Sequence, residues 1–325
     1  MATQLRNSPR SQANAEAGAE PLEALLELLG AQGYRFVTPT PASHARVLAR
    51  PSRQIAHSTE DVLGWSLPFI EADIDPEVIA LLRAADALTS AGAGLLRSRL
   101  RVSSLDGALF LHSAYPTEAR DSVFFGPDSY RFADFIIAEL AHAPLRDGAA
   151  LLDIGAGAGV GGIVAARRAE RAHAVLTDIN PAANRLACIN ARVAGVSAEC
   201  MEGDTPPAGP FDLAMANPPY MIDPTGRNYR DGGAMHGGAI AVQMAGDALA
   251  RLAPTGRFLL YTGGAIVRGE DRLRAVLNDL AEERGWTMRY RELDPDVFGE
   301  ELAQPTYRDV DRIAVVGAVF TRRAD

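Results

Sequence analysis

Two short stretches decide the fold: LLDIGAGAGVGG, from Leu151 to Gly162, and NPPY, from Asn217 to Tyr220. The first begins as an apolar run, which predicts a buried parallel strand, and it breaks into glycines before a helical stretch. A strand, a glycine loop and a helix start, in this order, bring backbone N–H groups and the positive end of a helix towards a nucleotide-like ligand.

The NPPY stretch follows a second strand-like run, from Phe211 to Ala216. Because two successive prolines cannot continue a sheet, the chain must turn outward at the carboxyl edge of that strand. Open α/β sheets bind their ligands at this edge. We therefore expect the two motifs to meet at one crevice.

Acidic residues close three successive predicted strands: Asp153, Asp178 and Asp204. The segment from Gly157 to Gly162 also satisfies GxGxxG, with Asp178 at a distance suited to a ribose, so a dinucleotide is permitted. Three carboxylates suit a cationic ligand with a ribose and an adenine better. One can accept from an amino group, one from the ribose hydroxyls and one from the adenine N6. S-adenosyl-L-methionine (SAM) is such a ligand.

The chain from about Phe124 onward resembles a class I SAM-dependent methyltransferase. The conjunction of DIGAGAG, TDIN, EGD and NPPY is most similar to the HemK-type branch. That branch comprises protein-glutamine methyltransferases of release factors and relatives that methylate exocyclic amino groups of nucleobases. The resemblance implies an α/β fold with a Rossmann-like, mostly parallel sheet. The last strands, Thr287 to Leu293 and Arg312 to Phe320, would form an antiparallel pair.

The resemblance also assigns the site, with SAM as cofactor and no metal. The cofactor would contact the glycine loop and the neighbouring strand ends at Asp153, Gly155, Gly157, Asp178, Ile179, Asp204 and Asn217. The catalytic group would be the NPPY motif: Asn217, Pro218, Pro219 and Tyr220. The segment Pro127-Asp128-Ser129 is similar to a Pro-x-Asp-Thr-like segment of the branch that lines the SAM pocket.

Methyl transfer from a sulfonium is an in-line displacement, so an enzyme contributes position and charge more than acid–base chemistry. The side-chain oxygen of Asn217 and the carbonyl of Pro218 can each accept one N–H of a planar amine or amide. This arrangement turns the nitrogen lone pair towards the methyl group. Tyr220 would offer a flat face to the planar group. A rigid proline turn alone would explain the prolines but not their Asn and Tyr neighbours.

Which planar amine is methylated stays open at this stage. The net charge of −9 disfavours a large nucleic-acid footprint. It favours a protein glutamine side chain, for example on a translation factor, or a small molecule. The alternatives are methylation of adenine N6 or guanine N2 in rRNA or DNA, methylation of a small-molecule amine, and a non-catalytic SAM-binding module.

Length and composition predict two globular domains in the 325 residues. We expect a disordered polar tail at 1–20, a mixed α+β substrate-recognition domain at 21–120 and the methyltransferase domain at 121–325. No apolar run approaches the ~20 residues of a membrane span, and the tail lacks the apolar region of a secretion signal. A cytoplasmic protein without a membrane partner is expected. The two cysteines, which lack metal-ligand spacing, fit a reducing compartment and give a disulfide little support.

Within the N-terminal domain, the pattern predicts a helix from Pro21 to Gly30, irregular chain over 38–60 and a helix that starts at Asp75. The runs Leu100 to Ser103 and Ala108 to His112, split by Asp-Gly, predict a β-hairpin.

A long glycine-rich connection, Met221 to Gly238, follows NPPY and exceeds the usual ~2–6 residues of an α/β loop. Its length favours a role in binding the substrate. Arg227 and Arg230 in this loop, with the alternating arginines at 97, 99 and 101, would form a positive patch for a carboxylate or a few phosphates if the hairpin covers the NPPY side. The alternative is five scattered, solvated arginines.

Overall fold

The computed structural model describes residues 19–223, 226–227 and 229–323, so the predicted tail lies outside the described residues except for its last two positions. The N-terminal part combines helices with two β-hairpins. Its elements are α1 (Ala19–Ala31), α2 (Pro41–Leu48), α3 (Thr59–Leu63), α4 (Pro76–Ala84), β1 (Leu88–Gly92), β2 (Leu95–Ser98), β3 (Leu100–Leu105) and β4 (Ala108–Ser113). The predicted hairpin is confirmed as the antiparallel pair β3–β4.

The rest of the described chain alternates strands and helices. Its elements are α5 (Pro127–His142), β5 (Ala150–Ile154), α6 (Val160–Ala166), β6 (His173–Asp178), α7 (Pro181–Val193), β7 (Ser197–Glu202), β8 (Phe211–Ala216), α8 (Ala239–Leu249), β9 (Leu252–Val267), β10 (Glu270–Asp271), α9 (Arg272–Glu283), β11 (Trp286–Asp294) and β12 (Arg312–Arg322). Short 3-10 turns lie at Met235–Gly237, Gly299–Ala303 and Pro305–Tyr307.

The strands form one large sheet in the order β11-β12-β9-β8-β5-β6-β7, and β10 pairs with β9. Strands β5 to β9 pair in parallel, whereas β12 lies antiparallel between β9 and β11. The predicted fold class is therefore confirmed, including the antiparallel final pair. Because β5 has β6 on one side and β8 on the other, the strand order reverses there. In open α/β sheets a ligand crevice opens at such a point, outside the carboxyl ends of the strands.

The apolar runs of the central strands are continuous because both faces of the sheet are covered. Leu151 and Leu152 are fully buried on opposite faces, as the two-residue period of a strand requires. One face packs against apolar residues of α8 and α9, and the other packs against α5 and α6. The sheet is thus a rigid support for the loops at its carboxyl edge.

The N-terminal part packs directly on the sheet domain, and one continuous apolar core runs from Leu22 to Val319. Asn190 of α7 is fully buried at this junction. Its side-chain amide donates to the carbonyls of Leu111 (3.1 Å) and Ala158 (2.9 Å), and its oxygen accepts from Leu111 N–H (2.8 Å). One amide therefore ties the hairpin to both α7 and the glycine loop. The division at 120/121 stays a prediction.

Two expectations about local structure were wrong. The segment 38–60 is only partly irregular, because Thr40 and Ser58 accept backbone N–H bonds as N-caps and start α2 and α3 there. Cys188 and Cys200 are bonded as a disulfide, a pairing that received little support from the sequence analysis. The packing of α7 against β7 brings their Cα atoms to 6.0 Å. Among the described residues there is no helix long and apolar enough to cross a bilayer.

The predicted stripe of alternating arginines does not exist. Arg97 lies on β2, half-buried, while Arg99 is exposed between two separate small sheets. Arg101 is only 4% exposed, and its Nε donates to the carbonyl of Ser113 at 3.3 Å. Burial lowers the pKa of the Arg101 guanidinium to about 10. The three arginines do not alternate along one strand, because β2 ends before Arg99 and β3 begins after it. Their side chains therefore share no strand face.

Candidate active site

The glycine loop after β5 has a backbone shape that its sequence requires. Gly155 and Gly157 have φ angles of 69° and 56°, which residues with a Cβ rarely adopt. The N–H groups of Gly155 and Ala156 donate to the carbonyl of Thr177 at 2.8 and 2.9 Å. These bonds hold the loop against the end of β6, which places it beside Asp178.

Asp178 fixes the loop from the other side. Its Oδ2 accepts from Gly157 N–H at 2.9 Å, and its Oδ1 accepts from Asn180 N–H at 2.9 Å. Burial raises the pKa of its carboxyl, and these backbone bonds oppose that rise. The next residue, Ile179, is 55% exposed. Asp178 therefore orders the loop through a hydrogen bond within the chain.

Asp153 lies deeper, with 1% of its surface exposed. Its Oδ2 accepts from Gly162 N–H, in the first turns of α6, at 2.7 Å. Burial raises the pKa of the carboxyl to about 7, with a smaller contribution from the charge of Asp178 and against the effect of the Gly162 N–H bond. A cation beside Asp153 would favour the ionised form and lower this pKa again.

A cavity of about 470 Å³, which we call the cofactor cavity, opens at this edge of the sheet. Its lining includes all the predicted cofactor residues: Asp153, Gly155, Gly157, Asp178, Ile179, Asp204 and Asn217. It also includes Ser129 of the predicted Pro127-Asp128-Ser129 segment and Asn180, the last residue of TDIN, which was not predicted to contact the cofactor. The structure thus brings the predicted set together at one place, and their contact with a ligand stays a prediction.

A second cavity, of about 600 Å³, lies on the other side of NPPY, and we call it the acceptor cavity. The four NPPY residues line it, with residues 40–42 and 115–118 of the N-terminal part and residues 296–298, 300 and 301. The long loop contributes Met221 and its Arg and Tyr residues. The lining shared by the two cavities consists of Phe124, Asn217, Pro219, Arg227 and Tyr229.

Asn217 is half-buried at this junction. Within the described parts of the chain, the side chain of Asn217 has no hydrogen-bond partner. Its polar atoms are also not among the fully buried side-chain atoms that lack a partner. Its amide is therefore open to a ligand in either cavity. Pro218, which follows Asn217 in the chain, lines the acceptor cavity but not the cofactor cavity.

Tyr220 is buried, and both its ring and its hydroxyl are fixed by contacts within the chain. It is 7% exposed, and its ring lies so close to Gly263 that a Cβ there would meet the ring at 2.1 Å. Its hydroxyl donates to Asp128 Oδ2 at 2.7 Å, and the hydroxyl of Tyr261 donates to Asp128 Oδ1 at 2.9 Å. Burial raises the pKa of the Tyr220 hydroxyl well above its usual value, so it stays protonated and donates. Asp128 thereby anchors the last residue of NPPY.

The arginines of the long loop do not form the predicted positive patch. Arg227 Nε contacts Asp223 Oδ2 at 2.7 Å, and its Nη2 contacts Oδ1 at 2.9 Å. Arg230 pairs with Glu301, which is largely buried. The arginines at positions 97, 99 and 101 lie outside the lining of both cavities. That prediction was wrong because the sequence could not show which carboxylates fold against the loop.

The family comparison agrees with this geometry: residues 132–280 match the family model described as methyltransferase small domain. The chain carries a methyltransferase domain. The cofactor of such a domain is SAM, as the sequence predicted. The matched segment includes the glycine loop, all three strand-end carboxylates and NPPY.

Two curated relatives are both named release factor glutamine methyltransferase. The protein of Deinococcus radiodurans is 30% identical over 164 residues, which cover 46% of this chain and 55% of the relative. The protein of Rhodospirillum rubrum is 33% identical over 171 residues, which cover 47% of this chain and 49% of the relative. The chain spans about half the length of the curated relatives it matches.

Among solved structures, the chain is similar to Trm5b from Pyrococcus abyssi, with a TM-score of 0.49 and 16% identity over 76% of this chain and 68% of that one. It is also similar to M. jannaschii TYW2 in complex with AdoMet, with a TM-score of 0.46 and 14% identity over 72% of this chain and 92% of that one. At such identities the likeness concerns the fold alone.

Proposed function

We propose that the protein transfers a methyl group from SAM to the planar nitrogen of an amide or exocyclic amine, with a protein glutamine side chain as the acceptor. The observation that carries this proposal is the position of Asn217. Its unpaired side-chain amide lies where the cofactor cavity meets the acceptor cavity. A methyl group that passes from one cavity to the other must pass beside it.

The cofactor cavity fits SAM by its chemistry. SAM carries a sulfonium and an ammonium group, and the cavity presents Asp153, Asp178 and Asp204. Asp153, whose pKa burial raises to about 7, is the carboxylate that gains most from a nearby cation. The exposed Asp204 and the half-buried Asp178 remain for the ribose and the adenine. SAM supplies the methyl group when bound.

On the acceptor side, Asn217 Oδ1 and the Pro218 carbonyl would each accept one N–H of the planar nitrogen. The lone pair then points towards the methyl carbon, the N–C bond forms as the C–S bond breaks, and S-adenosylhomocysteine leaves. The nitrogen gives up one proton to water, which restores a neutral amide or amine. The residues contribute position and not acid–base chemistry.

The charge of the acceptor cavity favours a protein over a nucleic acid. Its lining holds the carboxylates of Glu118, Asp128, Asp296, Glu300 and Glu301 and the guanidinium groups of Arg131, Arg227 and Arg230. Each of these arginines is paired with a carboxylate of the chain. Glu118, Asp296 and Glu300 are exposed and form no ion pair within the described residues. Phosphates would be repelled there, because an acidic wall lacks the cations that nucleic-acid binding requires.

The N-terminal part would help to select the acceptor, as the proposed division at residue 120 implies. It contributes Thr40, Pro41 and Ala42 to one wall and residues 115–118 to another. The names of the curated relatives, which refer to glutamine in release factors, support a glutamine acceptor on a translation factor.

Incubation with SAM that is tritiated in its methyl group, together with a cell extract, tests the proposal. We expect label in the protein fraction, retained as N-methylglutamine after digestion, and label formation slowed by about a hundredfold or more with the Asn217→Ala variant. Label in RNA or DNA would favour an adenine or guanine acceptor, and label in small molecules would favour a small amine. Binding of SAM without transfer to any fraction would identify a non-catalytic SAM-binding module and refute the proposal.

A further inference from the structure

An aromatic pair, Phe124 and Tyr229, lies at the junction of the two cavities and lines both of them. The ring centroids are 5.5 Å apart and the planes differ by 3°. Both residues are half-buried. The two rings are therefore nearly parallel, and they lie where the proposed methyl transfer takes place.

The position of Tyr229 is fixed from several sides. Its hydroxyl donates to the carbonyl of Thr117 at 2.7 Å, and the guanidinium carbon of Arg227 lies 5.8 Å from its ring centroid. Arg227 is in turn held by both oxygens of Asp223. The long loop thus presents a ring whose orientation is set before an acceptor arrives.

Phe124 is fixed by the chain that leads into α5. Its ring lies over Gly126, where a Cβ would meet the ring at 2.7 Å. The glycine at 126 therefore provides the space that the ring occupies. Phe124 and Tyr229 come from distant parts of the sequence, and only the fold brings them together.

From these contacts we propose that the aromatic pair, and not Tyr220, is the stacking surface that orients the planar acceptor group. Tyr220 has 7% of its surface exposed, and its hydroxyl is bound to Asp128. The two residues of the aromatic pair are half-buried and line both cavities together with Asn217, and aromatic faces stack on planar conjugated groups. This inference rests on the proposed function, since it concerns the acceptor of that reaction. It restricts the acceptor to a flat, conjugated nitrogen group, such as a primary amide or an exocyclic amine on a ring.

Kinetics of ring-removing variants tests the proposal. The probe is the extract fraction that the wild-type protein labels from tritiated SAM, titrated to give an apparent KM. Tyr229→Ala removes a ring, Phe124→Leu keeps an apolar side chain without an aromatic face, and Tyr229→Phe keeps the ring but loses the bond to Thr117. SAM affinity is measured by calorimetry for each variant, which also shows whether the cofactor cavity has kept its structure.

We expect Tyr229→Ala and Phe124→Leu to raise the acceptor KM by about tenfold or more, the scale of one lost aromatic stack. Tyr229→Phe should stay within about threefold of wild type, and SAM affinity should change by less than about threefold in all three. A wild-type KM in the ring-removing variants would overturn the proposal. So would a loss in Tyr229→Phe as large as in Tyr229→Ala, because the hydroxyl anchor would then explain the effect. If wild type labels no fraction at all, the proposed function fails first.

Discussion

Asp153 should make the affinity for SAM depend on pH. The carboxyl is 1% exposed, and burial raises its pKa to about 7. The positive charges of SAM favour the ionised carboxylate, so binding should expel the proton that Asp153 holds below neutral pH. Affinity should therefore rise as the pH rises through about 7 and fall as the pH falls.

The pKa sets the size of this effect. If the pKa falls below about 5.5 in the complex, the dissociation constant of SAM should increase about 25-fold between about pH 7.5 and about pH 5.5. That ratio corresponds to about 2 kcal/mol at about 1.36 kcal/mol per pKa unit. The free energy of unfolding should depend on pH in the opposite direction. Because the folded pKa lies above the unfolded value of 3.8, the contribution of Asp153 to the free energy of unfolding is present below about pH 4 and is lost towards pH 7.

Isothermal calorimetry at several pH values measures the dissociation constant. Repeating it near pH 6 in two buffers with different ionisation enthalpies measures the protons released, and we expect about one. Asp153→Asn is the matched control, because its side-chain oxygen can still accept from Gly162 N–H but the group does not titrate. Its affinity should change little with pH below 7. An equal pH dependence in wild type and Asp153→Asn would refute the assignment of Asp153.

Two further substitutions test the surroundings of the acceptor cavity. Asp128→Asn removes the charged acceptor of the Tyr220 hydroxyl, so turnover should fall by about tenfold or more while SAM affinity stays unchanged, consistent with ~1.5–3 kcal/mol for a hydrogen bond to a charged group. A turnover assay and calorimetry measure turnover and SAM affinity, and equal losses in these two quantities would contradict the role of Asp128. Arg230→Glu places a second negative charge beside Glu301, so the melting temperature should fall while the acceptor KM stays independent of salt. An acceptor KM that rises with salt in wild type but not in the variant would support the positive patch predicted from the sequence.

The sequence predicted the sheet and the cofactor residues because their signals are local. The glycine loop, the strand-end carboxylates and NPPY each stand within a few residues of a strand that is buried on both faces. Since parallel strands end at the same edge, a correct strand assignment was enough to bring Asp153, Asp178 and Asn217 to one cavity. The hairpin β3–β4 was predictable for the same reason, from its Asp-Gly turn and alternating strands.

What the sequence could not show were contacts between distant segments. The ion pair of Arg230 joins residues 71 positions apart, and its partner has no marker in the sequence. Tyr220 lines the acceptor cavity with the rest of NPPY, but its burial depends on Gly263 and on Asp128, 92 positions away. The partnership of Phe124 with Tyr229 likewise depends on how the long loop folds back. An aromatic residue in that loop and another before α5 were visible, but no local pattern pairs them.

The most direct test of the central claim separates cofactor binding from methyl transfer at Asn217. Calorimetry gives the SAM dissociation constant, and transfer from tritiated SAM to the labelled fraction gives turnover, for wild type, Asn217→Ala and Asn217→Asp. We predict that Asn217→Ala keeps the SAM dissociation constant within about threefold and lowers turnover by about a hundredfold or more, as expected for the loss of a transition-state contact. Asn217→Asp, which retains an acceptor oxygen, should keep more turnover than Asn217→Ala. Wild-type turnover in Asn217→Ala would contradict the account.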